Sequence, residues 1–207
     1  MLENCTDGVL SATNLRFLEH AIRSSPVLGP VLDRWAEVRL PDGWLAAGAV
    51  AQTVWNARLG YSLDHGIRDV DIVYFDAENL AAESEQAEEQ RIRSLFADLP
   101  VPFDVVNEAR VHLWYEARFG YAIAPYRSAE DAIATFPTTA TAIGVRPADG
   151  RFEISAPFGL TDLCRLVVRP NKTQIDVQIY EAKLSRWRSH WPALDFRPWH
   201  EAVSTED

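Results

Sequence analysis

The sequence predicts an α+β chain with an α/β-like core. Short apolar strand patterns alternate with helix-period segments between residues 44 and 119, and a hairpin signal follows near 142–155. A third observation gives that core a direction. The segment Gly66-Ile67-Arg68-Asp69-Val70-Asp71-Ile72-Val73-Tyr74-Phe75-Asp76 turns from a polar entry into an apolar strand carrying two carboxylates. Asp69 and Asp71 are two residues apart, so on a strand they project from one face and can converge on one cation. The spacing alone is weak, because 15 Asp in 207 residues give about one Asp-x-Asp by chance. Its meaning depends on what surrounds it.

With 207 residues, 47% apolar and 24% charged, the chain can bury a sizeable core. It is expected to form one domain over 1–207, with a helical N-terminal scaffold (1–40), a catalytic core (41–124) and a C-terminal extension (125–207) packed on that core. No apolar run reaches the ~18 residues that span a bilayer, and the first residues lack a basic segment followed by an apolar one. A cytoplasmic protein with no membrane partner is therefore expected. Cys5 and Cys164 lack His or Cys neighbours at zinc-ligand spacing and are expected as reduced thiols. The net charge of −10 argues against long nucleic acid as a partner, since coating it requires basic surface. The charge is uneven: residues 76–98 carry seven acids against Arg91 and Arg93, whereas 165–197 carry seven bases against three acids. The first reads as a solvated helix face and the second as the same, or as an anion-binding flank.

Taken in order, Ser11 to Ser24 has helical apolar spacing (Leu15, Leu18, Ala21, Ile22) with Ser11 or Thr13 as N-cap. A second helix is expected over Val31 to Val38, after the Pro26 and Pro30 breaks. Pro41-Asp42-Gly43 marks a turn into a strand, Trp44 to Val50, interrupted by Gly48, and a helix from Ala51 to Leu59 is closed by Gly60. A glycine at that step lets backbone N–H groups and a helix N-terminus approach a phosphate. A polar loop, Tyr61 to Arg68, leads to the strand Val70 to Phe75. A long helix follows, Glu78 to about Asp98, with Leu80, Ile92, Leu95, Phe96 and Leu99 as its buried stripe. The strand Val101 to Val106 carries Asp104, and Asn107 caps a helix from Glu108 to Phe119. Ser128 opens a helix to Phe136. Strands Ala142 to Val145 and Phe152 to Ser155 enclose a four-to-five-residue loop. Thr161 caps a short helix through Val167, and Gln174 to His190 reads as a helix, although Thr173 to Tyr180 alternates well enough for a strand.

Three features therefore stand in order: a strand, glycine and helix step at Gly48, a strand bearing Asp69 and Asp71, and a strand bearing Asp104. Nucleotidyl transfer requires this combination. Two carboxylates bridge two divalent ions, a third completes the ion beside the acceptor hydroxyl, and backbone donors cradle a triphosphate.

The set Ala47-Gly48-Ala49, Asp69-Val70-Asp71 and Phe103-Asp104-Val105 resembles the polymerase-beta-type nucleotidyltransferase superfamily. More closely, Trp44 to Val50, Val54-Trp55-Asn56, Arg68 to Asp71, Tyr74-Phe75-Asp76, Asn107 to Tyr115 and Ala156 to Leu163 resemble a bacterial family of small nucleotidyltransferase-like proteins. The resemblance runs from about Trp44 to Trp191. It implies a mixed β-sheet flanked by helices, with N-terminal helices and a C-terminal α/β extension, but it names no substrate. It also implies a two-metal, Mg²⁺- or Mn²⁺-dependent enzyme that moves an NMP from an NTP to a hydroxyl, with Asp69, Asp71 and Asp104 as catalytic and metal-binding residues. Gly48, Ala49, Asn56 and Arg68 are candidates for the nucleotide, and Asn107, His112 and Tyr115 for the substrate pocket. Trp114 joins these aromatics as a surface on which a base can stack. Arg68, with Arg165 or Lys172, is placed to neutralise the triphosphate.

Ala49 departs from the superfamily, which has Gly or Ser there, so only backbone donors remain. The 19-residue gap from Ala49 to Asp69 is longer than the superfamily's usual spacing. Polyadenylating and tRNA-tailing relatives carry Arg-Asp where this chain has Ala51-Gln52. The acceptor is open between a small molecule, a protein hydroxyl and an RNA end. The alternative is a catalytically silent nucleotidyltransferase fold that binds nucleotide or a protein partner. Haloacid-dehalogenase-type phosphatases and metal-dependent sugar transferases share the Asp-x-Asp pattern, but in them the apolar strand precedes the carboxylates.

Overall fold

The computed structural model describes residues 12–200. Cys5 and the Ser11 cap lie outside them. Three N-terminal helices, α1 (Ala12–Arg23), α2 (Leu28–Asp33) and α3 (Trp35–Val38), lead to strand β1 (Trp44–Ala46) and helix α4 (Ala47–Leu59). The core continues with β2 (Val70–Tyr74), α5 (Ala82–Leu95), β3 (Phe103–Asn107), a 3₁₀ turn (Glu108–Arg110) and α6 (Val111–Phe119). Then come α7 (Ala129–Ile133), β4 (Gly144–Ala148), β5 (Arg151–Ser155), α8 (Thr161–Cys164), β6 (Val167–Val168), α9 (Val177–His190) and β7 (Asp195–Phe196).

The sheet order is β3-β2-β1-β4-β5. β2 and β3 are parallel and the other neighbours antiparallel, so the sheet is mixed. β6 and β7 form a separate parallel pair. Alternation sorts the sheet residues into two faces. Leu45, Val70, Ile72, Tyr74, Phe103, Val105 and Val145 join the main core, which extends from Leu18 to Leu194. Trp44, Ala46 and Val73 face the other way and pack with Ala129 and Ile133 of α7 in a smaller cluster. Among the described residues, no helix is long and apolar enough to cross a membrane.

Several expected boundaries move, each for a physical reason. The strand from Trp44 stops at Ala46, and helix α4 already includes Gly48. All of Ala49 to Asn56 is buried, so this helix has no polar stripe to announce its period. The strained residue at the step is Ala47, with φ 58°; its N–H donates to the Ile143 carbonyl at 2.9 Å. The second expected helix divides into α2 and α3 at Arg34. The long acidic helix starts at Ala82, leaving Leu80 exposed while Ile92 and Phe96 are buried. Asp76 and Asn79 accept local backbone N–H bonds before it and hold the chain in turns.

The hairpin loop shrinks to two residues. β4 runs through Pro147, which pairs with Phe152, and the turn is Asp149-Gly150, both with positive φ, as a primed two-residue turn requires. Pro147 is tolerated because β1 pairs only with Gly144 and Val145, so no ladder N–H is missed there. Thr161 makes no side-chain cap, and Val167 belongs to β6. In the last helix, Asp176 accepts the Ile179 N–H at 2.9 Å, which starts α9 and settles the helix-or-strand ambiguity.

Candidate active site

The register of β2 and β3 builds the centre of the site. Asp71 and Asp104 are direct Cα partners in the parallel pair, on adjacent strands about 4.8 Å apart, and alternation puts both on the face away from the main core. Ala46 faces Asp71 across β1. The N-terminus of α4 therefore lies at the carboxylate, and the Gly48 N–H bonds to it. The expected glycine cradle serves Asp71 directly, with the helix N-terminus favouring its charge. Ala49 turns into the core and is buried. Asp69 lies one residue before β2 and is exposed, as is Arg68.

Like charges crowd this face. Burial, followed by the nearby Asp69 and Asp104, pushes Asp71 up to about 7. A fourth carboxyl, missed in the sequence, joins them: Glu108, 5% exposed, is pushed up to about 8 by burial and then by Asp71 and Asp104. Its only visible signal was an acid placed immediately after an apolar strand. Across the site stands α9. Lys183 is exposed, and the protein packed around its stem lowers its pKa by desolvation, while Asp71 and Asp69 hold it up. Arg186 is likewise lowered by burial and by Arg68, and raised by the same two aspartates. These two bases, three residues apart on one helix face, were not among those expected at a triphosphate. The Lys172 ammonium instead sits 5.5 Å from the Trp199 ring.

Asn56 and Asn107, expected at the nucleotide and in the substrate pocket, are both structural struts. Asn56 is fully buried. Its amide nitrogen donates to the carbonyls of Leu63 (3.2 Å) and His65 (2.9 Å), and its oxygen accepts the Trp191 indole N–H at 2.7 Å. It thereby ties the loop before Asp69 to α4 and to the residue after α9. Asn107 donates to the carbonyls of Asp76 and Asn79 and accepts from the N–H groups of Asp76 and Ala109, locking the ends of β2 and β3 together. A buried amide with every group occupied has nothing left for a ligand. Tyr115 is buried, with its hydroxyl 3.1 Å from that of Tyr121. Tyr121 in turn donates to the Gln174 carbonyl. His112 is partly buried, and its Nδ1 has no partner among the described residues.

The loop is pinned at Gly66. Its φ is 69°, and a Cβ there would lie 2.7 Å from the Trp191 ring. Gly66→Ala is expected to destabilise the protein by about 1–3 kcal/mol through strain and overpacking. A shifted denaturation midpoint, together with weaker ATP binding from displaced Arg68 and Asp69, checks this; an unchanged midpoint would contradict the packing.

The donors fit a hard divalent cation in type, since all are carboxylate oxygens and their repulsion is what such an ion relieves. Among the described residues, however, no three His, Cys, Asp or Glu side chains stand close enough to hold an ion as placed. The crowding has a pH signature. Both Asp71 and Glu108 have folded pKa values above those of the unfolded chain (about 4), so the native state binds more protons between about pH 4 and 8. Their contribution to stability is complete below pH 4 and lost as pH rises through 7 and 8. Cation-free protein is expected to lose a few kcal/mol between pH 5 and 8. Mg²⁺ should reverse part of that loss and Glu108→Gln should reduce it, as read from urea midpoints across that range.

A family model described as nucleotidyltransferase matches residues 33–196. Among solved structures, the chain is similar to a protein whose title reads "The NMR structure of the protein reveals a CCA-adding enzyme head domain". The two are 27% identical with a TM-score of 0.74, over 92% of this chain and 100% of that one. No curated protein matches by sequence.

Proposed function

The chain belongs to the nucleotidyltransferase family, and on that premise we propose that it transfers an NMP from an NTP to a hydroxyl acceptor, releasing pyrophosphate. The observation that carries this reading is the pairing of Asp71 with Asp104 at the foot of α4, with the bases of α9 opposite.

Asp69 and Asp71 would hold Mg²⁺ or Mn²⁺, with Asp104 joining on the acceptor side. Such ions would supply charge neutralisation at the α-phosphate and a lowered pKa for the attacking hydroxyl. The chain's own residues do the rest. Lys183, Arg186 and Arg68 receive the β- and γ-phosphates, whose charge their ammonium and guanidinium groups match. The Gly48 N–H fixes the Asp71 carboxylate, and β3 holds Asp104 beside it. The acceptor oxygen bonds to the α-phosphorus as the bond to the bridging oxygen breaks. Pyrophosphate leaves with that electron pair, and the hydroxyl proton goes to water. Asn56 and Asn107 act by positioning, one bracing the loop before Asp69 and the other the ends of β2 and β3.

The description of the structural neighbour brings an RNA end into consideration as acceptor, whereas Ala51-Gln52, in place of the Arg-Asp of tRNA-tailing enzymes, speaks against it. The reading is tested by melting temperature and pyrophosphate release. ATP with Mg²⁺ is expected to stabilise the protein and, with an acceptor, to yield pyrophosphate. Stabilisation without turnover on any acceptor is the signature of a silent nucleotide-binding module. Stabilisation indifferent to Asp69→Asn removes the site assignment.

A further inference from the structure

We propose that a second cavity, walled by Arg39, Tyr74, Asp76 and α5, binds a free α-amino acid, its carboxylate on Arg39 and the Tyr74 hydroxyl and its ammonium on Asp76 and Glu88. This site is separate from the candidate active site, because Tyr74 and Asp71 project from opposite faces of β2. It does not depend on the nucleotidyl-transfer reading.

The cavity measures about 230 Å³ and lies between the segment before β1, the end of β2 and the first half of α5. A cavity of about 150 Å³ accepts benzene, with six heavy atoms, so this one suits about nine, the size of a common amino acid. Its frame is set by the protein alone. Arg91 of α5 pairs with Glu88 and donates to the Glu37 and Val38 carbonyls, fixing the rim where Arg39 follows. On the opposite wall, Asp76 Oδ1 accepts the N–H groups of Glu78 and Asn79, and the Asn79 amide donates to Ser84 Oγ at 3.0 Å.

What that frame leaves open is specific. Tyr74 is 3% exposed, yet its hydroxyl has no hydrogen bond among the described residues and is not sealed from solvent. Such a buried phenol costs the fold free energy until a partner meets it. Burial, followed by Glu88 and Asp76, pushes its pKa up to about 12, so it stays protonated and can donate. Arg39 is exposed and makes no ion pair or hydrogen bond among the described residues, and Ser84 accepts from Asn79 with its own O–H uncommitted. The open acceptors are Asp76 Oδ2 and Glu88 Oε1, since the bonds of these two carboxylates fall on Oδ1 and Oε2.

Charge then selects the ligand. Arg39, with the Arg91 that pairs Glu88, balances Asp76 and Glu88, so the wall is neutral overall but carries both signs. A lone anion such as phosphate meets two carboxylates, and a lone cation meets Arg39. A zwitterion answers both. Leu40, Pro41 and Ala87 supply apolar surface for a short aliphatic side chain.

The test is calorimetric titration of the intact protein with the common L-amino acids, one at a time, then with the tightest binder's analogues lacking the ammonium or the carboxylate, and with inorganic phosphate. Saturable one-to-one binding of at least one amino acid is expected, with both analogues and phosphate at least about tenfold weaker. Arg39→Gln and Tyr74→Phe should each weaken that binding about tenfold. Tyr74→Phe should leave the urea midpoint of the free protein unchanged or higher, because its hydroxyl has no partner to lose. Binding by none of the amino acids overturns the inference, as does phosphate or a single-charge analogue that binds as tightly, or an Arg39→Gln variant with an unchanged Kd. A Tyr74→Phe variant that loses stability overturns it too, since the hydroxyl would then serve the fold.

Discussion

Asp71→Asn is expected to lower kcat for nucleotidyl transfer by at least about 10³-fold while making the cation-free protein more stable at pH 8. The loss follows from position. Asp71 is the carboxylate paired with Asp104 and bonded to the Gly48 N–H, so its substitution removes one of the three carboxylates that would hold an ion. The gain follows from crowding. With Asp69, Asp104 and Glu108 nearby, ionising Asp71 costs the native state free energy that an amide of the same shape does not. Asparagine can still accept from Gly48, so the fold is retained, and about 1–3 kcal/mol of stabilisation is expected. Pyrophosphate release and urea midpoints on the same sample check both halves. A variant that loses activity and stability together would mean that Asp71 supports the fold rather than the chemistry.

Lys183→Met is expected to weaken ATP binding by about 10- to 100-fold, the effect shrinking as salt rises. Methionine keeps the length of the side chain and removes the charge facing Asp71 and Asp69. Because Lys183 is open to solvent, little change in stability accompanies the substitution. Lys183→Arg should recover part of the affinity. Titration with ATP and Mg²⁺ measures it, and an unchanged Kd would remove α9 from the phosphate side of the site.

Alternation made part of the arrangement legible: Asp71 and Asp104 each sit between apolar strand neighbours and so point to the face opposite them, whereas Asp69 lies one residue before β2, where alternation does not fix its direction. Register was not legible, and register is what makes Asp71 the partner of Asp104. Gly48 was legible as a junction, but the strain sits on Ala47, and the helix begins sooner because a helix buried on every side shows no period. Asn56 and Asn107 read equally as ligand contacts or caps, because sequence records a polar side chain and not how much of it the backbone has already claimed; the cap is found at Asn107, whose Oδ1 accepts the Ala109 N–H. Lys183 and Arg186 were hidden within a basic tail whose excess of charge was visible; only the packing of Tyr180, Leu184 and Trp187 into the core decides which of its bases come near Asp69 and Asp71. Leu80 failed for the opposite reason, since turn-forming Asp76 and Asn79 outweighed its apolar signal.

The indole of Trp191 donates across 135 positions of sequence to Asn56, which holds the loop ahead of Asp69. Inheritance in this chain is therefore not divisible at the end of the sheet. A tail exchanged with that of a relative would bring its own grip on the loop as well as its own residues in place of Lys183 and Arg186, so the approach to Asp69 and the face of α9 that its charge meets are coupled through one indole.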